Sequence, residues 1–194
     1  MKKRTIAVDL DDVLGNTTEH ICAYYNARFG TNFKFQDHQT YMINDVWNRS
    51  REEAIKIVDD FFRSDDAKTI TPFAGSQYAI DELSKKYDLI VLTSRPVDHR
   101  QSTTEWVNQY FPNKFEEIVI TNKNASNKLP SREKFEVCLE KQIDIMIEDN
   151  LHFAMQNAHN NITTYLMDRP WNQNGELPKL IKRVYAWNEI LNDL

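Results

Sequence analysis

AVDLDDVLGNT, residues 7–17, runs from an apolar segment straight into Asp9, Asp11 and Asp12. Unbroken apolar residues with a charged end fit a strand covered on both faces that emerges at a sheet edge. Carboxylates this close raise one another's pKa, so a cation, a proton or a chemical task must offset their repulsion. Short Asp side chains also suit turns and helix starts, and that is the reading kept for Asp12.

Working outward, the same kind of run recurs. TIAVDL (5–10), DLIVLTS (88–94), EEIVIT (116–121), IDIMIED (143–149) and ITTYLM (162–167) are continuous rather than alternating, as strands buried on both faces should be. Helical patterns lie between them, at SQYAIDELSKKY (76–87), HRQSTTEWVNQYF (99–111), REKFEVCLEKQ (132–142) and LHFAMQNAH (151–159). A last helix is expected near 178–193, with Pro178 in its first turn. Alternating β and α at this spacing predicts an α/β fold, a Rossmann-like parallel sheet with helices on both faces.

Between the first two strands, residues 15–75 hold helical patterns and no convincing strand. Gly30 is placed to end the helix TTEHICAYYNARF, and Ser50 with Glu53 forms a capping-box pattern for REEAIKIVDDFFR. Asn16 and Thr17 are expected to cap the first of these helices. The division expected is a catalytic core from 1–14 and 76–194, with 15–75 as a helical cap over the carboxyl edge of the sheet.

Composition narrows the function classes. A formal charge of -5 argues against a surface for nucleic-acid polymers. The basic start MKKR is followed by only IAV before Asp9, too short for an export signal, and no run approaches the ~18 apolar residues of a membrane span. The expectation is a cytoplasmic protein with no membrane partner; a homo-oligomer is left open. Cys22 and Cys138 are far apart without CxxC spacing, which predicts two reduced, buried thiols. The histidines, His152 and His159 included, lack ligand spacing.

In such a fold chemistry collects at strand ends, here Asp9 and Asp11, Thr93 and Ser94, and Glu148 and Asp149, with Lys134 in the helix before the last pair. Carboxylates from separate strand ends suit an octahedral Mg²⁺, and a hydroxyl with an ammonium makes a phosphate pocket. D-x-D-x-V, then Thr, Lys and an acidic pair, in this order, resemble the four motifs of the haloacid dehalogenase-like superfamily. Within it, the helical insertion, TSRP (93–96), the ED pair and DRPWN (168–172) resemble the 5'(3')-deoxyribonucleotidase family and its bacterial nucleotidases.

The resemblance implies a haloacid dehalogenase-like core and a Mg²⁺-dependent hydrolase of phosphomonoesters acting on nucleoside monophosphates. Asp9 would be the nucleophile that carries the phosphoryl group and Asp11 the acid and base. Mg²⁺ would be held by Asp9, the Asp11 backbone carbonyl and Asp149; Thr93, Ser94 and Lys134 would bind the phosphoryl oxygens. Lys128 competes with Lys134, which its place in the helix before the acidic strand favours. Glu148 either orients Lys134 or a metal-bound water, or is a solvated charge. Arg95 either reaches a phosphate or makes a structural ion pair. Trp171 and Asn172 either brace the site or pack.

Aromatic faces stack on bases, and the insertion is rich in them; Phe33, Phe35, Tyr41 and Trp47, near its loops, are the candidates for substrate contact. Two other functions stay open, a phosphatase for another small phosphorylated metabolite and a binding protein without catalysis. A dehalogenase fits less well, because a departing halide needs no proton and Asp11 would have no use.

Overall fold

The computed structural model describes residues 3–122 and 132–194. Six strands form one wholly parallel sheet: β1 (Thr5–Val8), β2 (Asp88–Pro96), β3 (Glu117–Asn122), β4 (Ile145–Glu148), β5 (Thr163–Met167) and β6 (Ile181–Val184). Their order is β3-β2-β1-β4-β5-β6, so chain order reverses between β1 and β4. In an open α/β sheet ligands bind at the carboxyl ends of the strands at that point.

Side chains alternate faces along each strand, and the core divides accordingly. Ile6, Val8, Leu89, Val91, Ile145 and Ile147 belong to one cluster, Ala7, Ile90, Leu92 and Met146 to another on the opposite face. Both faces are apolar because helices cover both, which is why the strands read as unbroken hydrophobic runs.

Eight α-helices are described: α1 (Thr17–Phe29), α2 (Ile43–Trp47), α3 (Arg51–Arg63), α4 (Ser76–Lys86), α5 (Arg100–Tyr110), α6 (Lys134–Glu140), α7 (Leu151–His159) and α8 (Trp187–Asp193). The first three lie in the insertion between β1 and β2. Gly30 ends α1 at φ 65°, a left-handed position that glycine adopts without strain, and Ser50 and Glu53 close the expected capping box on α3. Both cysteines are free and buried. None of these helices is long and apolar enough to cross a membrane.

The insertion shares its core with the sheet. Tyr25, Trp47, Phe61 and Ile70 join the same cluster as Ile6, Val8 and Leu14. Where the insertion leaves and returns, Gly15 bridges Pro72. A Cβ on Gly15 would stand 2.9 Å from the Trp106 ring and 3.2 Å from Ile70, so the crossing closes only around a residue with no side chain.

Three expectations need correction. The last segment is not one helix from Pro178: the Ile181 amide turns back to the Pro178 carbonyl at 2.8 Å, and residues 181–184 form edge strand β6 before α8 begins. Ile181 and Val184 are β-branched and buried in different clusters, as side chains three apart on a strand covered on both faces should be. Second, β2 continues past Ser94 to Pro96, with its register against β3 shifting between Thr93 and Pro96. Third, Asn16 does not cap α1 through its side chain, which instead reaches Thr71 Oγ1 at 3.2 Å. Asp12 does so from further upstream: Oδ1 accepts the Thr18 amide at 3.0 Å and Oδ2 the Thr18 hydroxyl at 2.6 Å.

Candidate active site

Asp9 follows β1 directly, and its amide donates to the Ile147 carbonyl at 2.9 Å, fastening the end of β1 to β4. Glu148 is the last residue of β4, Asp149 follows it, and Lys134 opens α6. The fold thus delivers these four side chains to the crevice at the strand-order reversal. The Lys134 ammonium, 2% exposed, lies 2.8 Å from Asp9 Oδ1 and 2.8 Å from Glu148 Oε2. Lys128 lies outside the described residues.

Glu148 is wholly buried, and its other oxygen accepts the amides of Asp149 at 3.1 Å and Asn150 at 3.0 Å. It is therefore no solvated strand-end charge but the group that orients Lys134 and the turn after β4. Asn150 in turn caps α7 by accepting from the His152 amide at 2.8 Å.

Asp9, Glu148 and Asp149 each offer an oxygen, and these atoms lie within 4.8 Å of one another. One ammonium does not balance three buried carboxylates. Burial, then the charge of Glu148, pushes Asp9 up to about 8 against the pull of Lys134. Burial, then Glu148 and Asp9, raises Asp149 well above the usual carboxylate range. For Lys134 burial works toward neutrality, but the charges of Asp9 and Glu148 outweigh it and hold the ammonium protonated. A donor set made only of oxygens, with negative charge in excess, fits a hard divalent cation such as Mg²⁺.

The Asp11 carboxylate stands outside this group. Arg95 grips it, with Nε 3.1 Å from Oδ1 and 3.0 Å from Oδ2 and Nη2 2.6 Å from Oδ1, and the Thr17 hydroxyl donates to Oδ1 at 2.5 Å. Burial works to raise its pKa, yet the Arg95 charge and the hydrogen bonds of Arg95 and Thr17 win and hold it below the usual carboxylate value. Arg95 therefore makes an ion pair with the second aspartate. Thr17, expected at the helix cap, serves Asp11 instead.

Thr93 is wholly buried at the carboxyl end of β2, beside β1; its hydroxyl accepts the Arg95 amide at 3.2 Å. The Ser94 hydroxyl meets Thr121 Oγ1 of β3 at 3.3 Å, on the opposite side of β2 from β1.

The RPWN segment braces the acidic pair. Trp171 Nε1 donates to Asp149 Oδ2 at 2.8 Å, and Asn172 Nδ2 donates to the carbonyls of Asp149 at 2.6 Å and Met167 at 2.7 Å. Arg183 holds Asn172 Oδ1 at 2.6 Å, while Arg169 Nε donates to the Asp12 carbonyl at 2.9 Å. Arg169 and Arg183 were not legible as site residues, because each acts through a backbone or amide group with no pattern of its own.

The four aromatic candidates separate into two pairs. Phe35 meets Trp171 edge-on at 5.3 Å between centroids. Tyr41 is half exposed, and the burial of its hydroxyl, then the charge of Asp149, raises its pKa. Phe33 and Trp47 instead pack on Tyr25, at 5.8 Å and, stacked, at 4.1 Å. Trp47 is buried, which corrects its expected place at the substrate: the small helical insertion uses its largest ring for its own interior.

Residues 3–194 match the family model described as 5' nucleotidase, deoxy (pyrimidine), cytosolic type C protein. The 5'(3')-deoxyribonucleotidase of Bacillus subtilis is 28% identical over 193 residues, covering 97% of this chain and 96% of that protein. An uncharacterized 32.4 kDa protein of Enterobacteria phage T4 is 25% identical over 200 residues, covering 99% of this chain and 70% of that one. Among solved structures, a haloacid dehalogenase-like family hydrolase from Streptococcus pneumoniae superposes with TM-score 0.70 at 17% identity, covering 98% of each chain.

Proposed function

Because the chain belongs to the family of the cytosolic type C deoxy (pyrimidine) 5' nucleotidases, and so to the hydrolases of phosphomonoesters, we propose that it dephosphorylates deoxynucleoside monophosphates with Mg²⁺, in the cytoplasm, through a phosphoryl group carried on Asp9. The observation that carries this reading is the Asp9 carboxylate held 2.8 Å from Lys134 within 4.8 Å of Glu148 and Asp149 oxygens. A buried nucleophile beside a fixed cation suits attack on a phosphorus whose oxygens gain charge in flight.

In the first half-reaction an Asp9 oxygen attacks phosphorus in line. The ester P–O bond breaks, and the departing oxygen takes a proton from Asp11, which must first take one up against the pull of Arg95. In the second, water attacks the phosphorus of the aspartyl-phosphate, Asp11 takes the water's proton, and Asp9 leaves as a carboxylate. Lys134 supplies fixed positive charge throughout, and Glu148 keeps it aimed. Asp9, Asp149 and the Asp11 carbonyl would hold Mg²⁺, which when bound neutralises the crowded carboxylates and the charge on the phosphoryl oxygens. The insertion is assigned the role of a cap that closes over this edge, excludes water and selects the substrate.

A panel of deoxynucleoside and ribonucleoside 5'- and 3'-monophosphates and sugar phosphates, assayed for phosphate release with Mg²⁺ or with chelator, tests the reading. Release from the deoxynucleotides that chelator abolishes supports it. A preference for sugar phosphates overturns the substrate; no release from any compound overturns catalysis.

The metal assignment predicts a pH dependence. Asp9 keeps its proton in the metal-free protein up to about 8, so the folded state binds more protons than the unfolded one from the ordinary carboxylate range to that pH. Stability of the metal-free protein should therefore fall as pH rises through this window, and Mg²⁺ should raise Tm more near pH 8 than under mildly acidic conditions. Equal Mg²⁺ shifts at both would contradict it.

The substrate assignment predicts that Phe35→Ala and Tyr41→Ala each cost on the order of 1–3 kcal/mol in kcat/KM for deoxynucleotides and much less for a small aryl phosphate. Phe33→Ala and Trp47→Ala should instead lower Tm and affect both substrates alike. Parallel losses in all four variants would remove the aromatic contact with the base.

A further inference from the structure

Arg95 stands between Asp11 and the insertion. Its side chain is 4% exposed; one edge of the guanidinium holds both Asp11 oxygens, and its Cζ lies 4.6 Å from the centroid of the Phe62 ring on α3. Its Nη1 reaches Thr103 Oγ1 of α5 at 3.5 Å. Around this contact α3 is fastened to the body of the protein: His99 Nε2 lies 2.8 Å from Asp59 Oδ1, the His99 ring lies 5.3 Å from Phe62, and Arg63 Nη2 is 3.9 Å from Asp98. The other partner of Asp11 is Thr17, the first residue of α1. Among the described residues, the side chains that hydrogen-bond the Asp11 carboxylate thus belong to the insertion or lean on it.

We propose that Arg95 is a positioning residue that couples the seating of the insertion to the direction of Asp11. Phe62 fixes the plane of the guanidinium, and the guanidinium fixes the carboxylate. The planar fork is what the role requires, because a lysine in its place cannot hold two oxygens and lie flat on a ring together. When α3 is seated, Asp11 is aimed by two groups; when α3 shifts, Phe62 releases the guanidinium and Asp11 loses its direction. The inference rests on Asp11 as the acid that gives its proton to the departing ester oxygen and regains one from water.

The test uses phenyl phosphate and p-nitrophenyl phosphate, which are close in size and carry no base, so they differ chiefly in how much the departing oxygen needs a proton. The readout is kcat/KM, which covers the steps through departure of that oxygen. Asp11→Asn should lower kcat/KM for phenyl phosphate far more than for the nitro ester. Arg95→Lys should do the same, by about tenfold or more, with KM little changed and with no further effect in the Asp11→Asn background. Phe62→Leu, which leaves the machinery intact, should shift the ratio in the same direction by about threefold. If Asp11→Asn is selective but Arg95→Lys lowers both esters equally, raises KM alone, or adds to Asp11→Asn, the positioning role is overturned while the acid role stands. Equal losses in Asp11→Asn overturn both.

Discussion

Asp9→Asn is expected to reduce deoxynucleotide hydrolysis by roughly three orders of magnitude or more, the scale on which removal of a nucleophile acts. The amide keeps the size of the carboxylate but cannot displace an alkoxide from phosphorus. Its effect on the fold should be the reverse. In the metal-free protein Asp9 ionises only against its burial and the charge of Glu148, at about 8, so an amide that never ionises removes that cost as the pH nears this value, and Lys134 keeps Glu148 at 2.8 Å. Tm of the metal-free variant should equal or exceed that of the parent, the pattern of a site whose charges serve chemistry at the expense of stability. A large fall in Tm would mean that Asp9 holds the fold together, and the loss of activity would then carry no mechanistic weight.

Lys134→Ala should fail in both respects. Among the described residues it leaves Glu148, wholly buried, with two backbone amides and takes from Asp9 its ammonium partner, and breaking a buried pair in this way costs about 3–5 kcal/mol. For a domain of this size that lowers Tm by roughly 6–20 °C. Added Mg²⁺ should restore some stability and little rate, because the charge on the transferring phosphoryl group would still be missing. A Lys134→Met, Glu148→Gln double variant separates the two effects: it removes both charges, so thermal melts should show most of the lost stability returning while hydrolysis stays low. Activity near the parental level in that variant would show Lys134 to be structural alone.

The first strand and its aspartates were legible because burial on both faces writes itself as an unbroken apolar run and because three adjacent carboxylates demand an explanation. Glu148, Asp149 and Lys134 were readable for the same reason, each standing at a strand or helix end. Strand β6 was not, since Ile181-Lys-Arg-Val184 is too short for a period to decide between strand and helix, and Pro178 suits a turn as well as a first helical turn. The partners of Asp11 were hidden for a different reason. Arg95 is 84 residues from Asp11, and its pairing depends on β1 and β2 being neighbours and on Phe62 covering it. Likewise, nothing local distinguishes Phe35, which meets Trp171, from Phe33, which packs on Tyr25. Only the path of the insertion over the sheet edge separates them.

The central claim is that a phosphoryl group passes through Asp9. Acid quenching of the enzyme during turnover of a deoxynucleoside monophosphate with a radiolabelled phosphate, followed by peptide mapping, reads it directly. The account predicts label on the peptide that contains Asp9, formed only with Mg²⁺ present and absent from the Asp9→Asn variant. Label on another peptide, or burst-free hydrolysis that leaves no label on the protein while Asp9→Asn retains its rate, would contradict it.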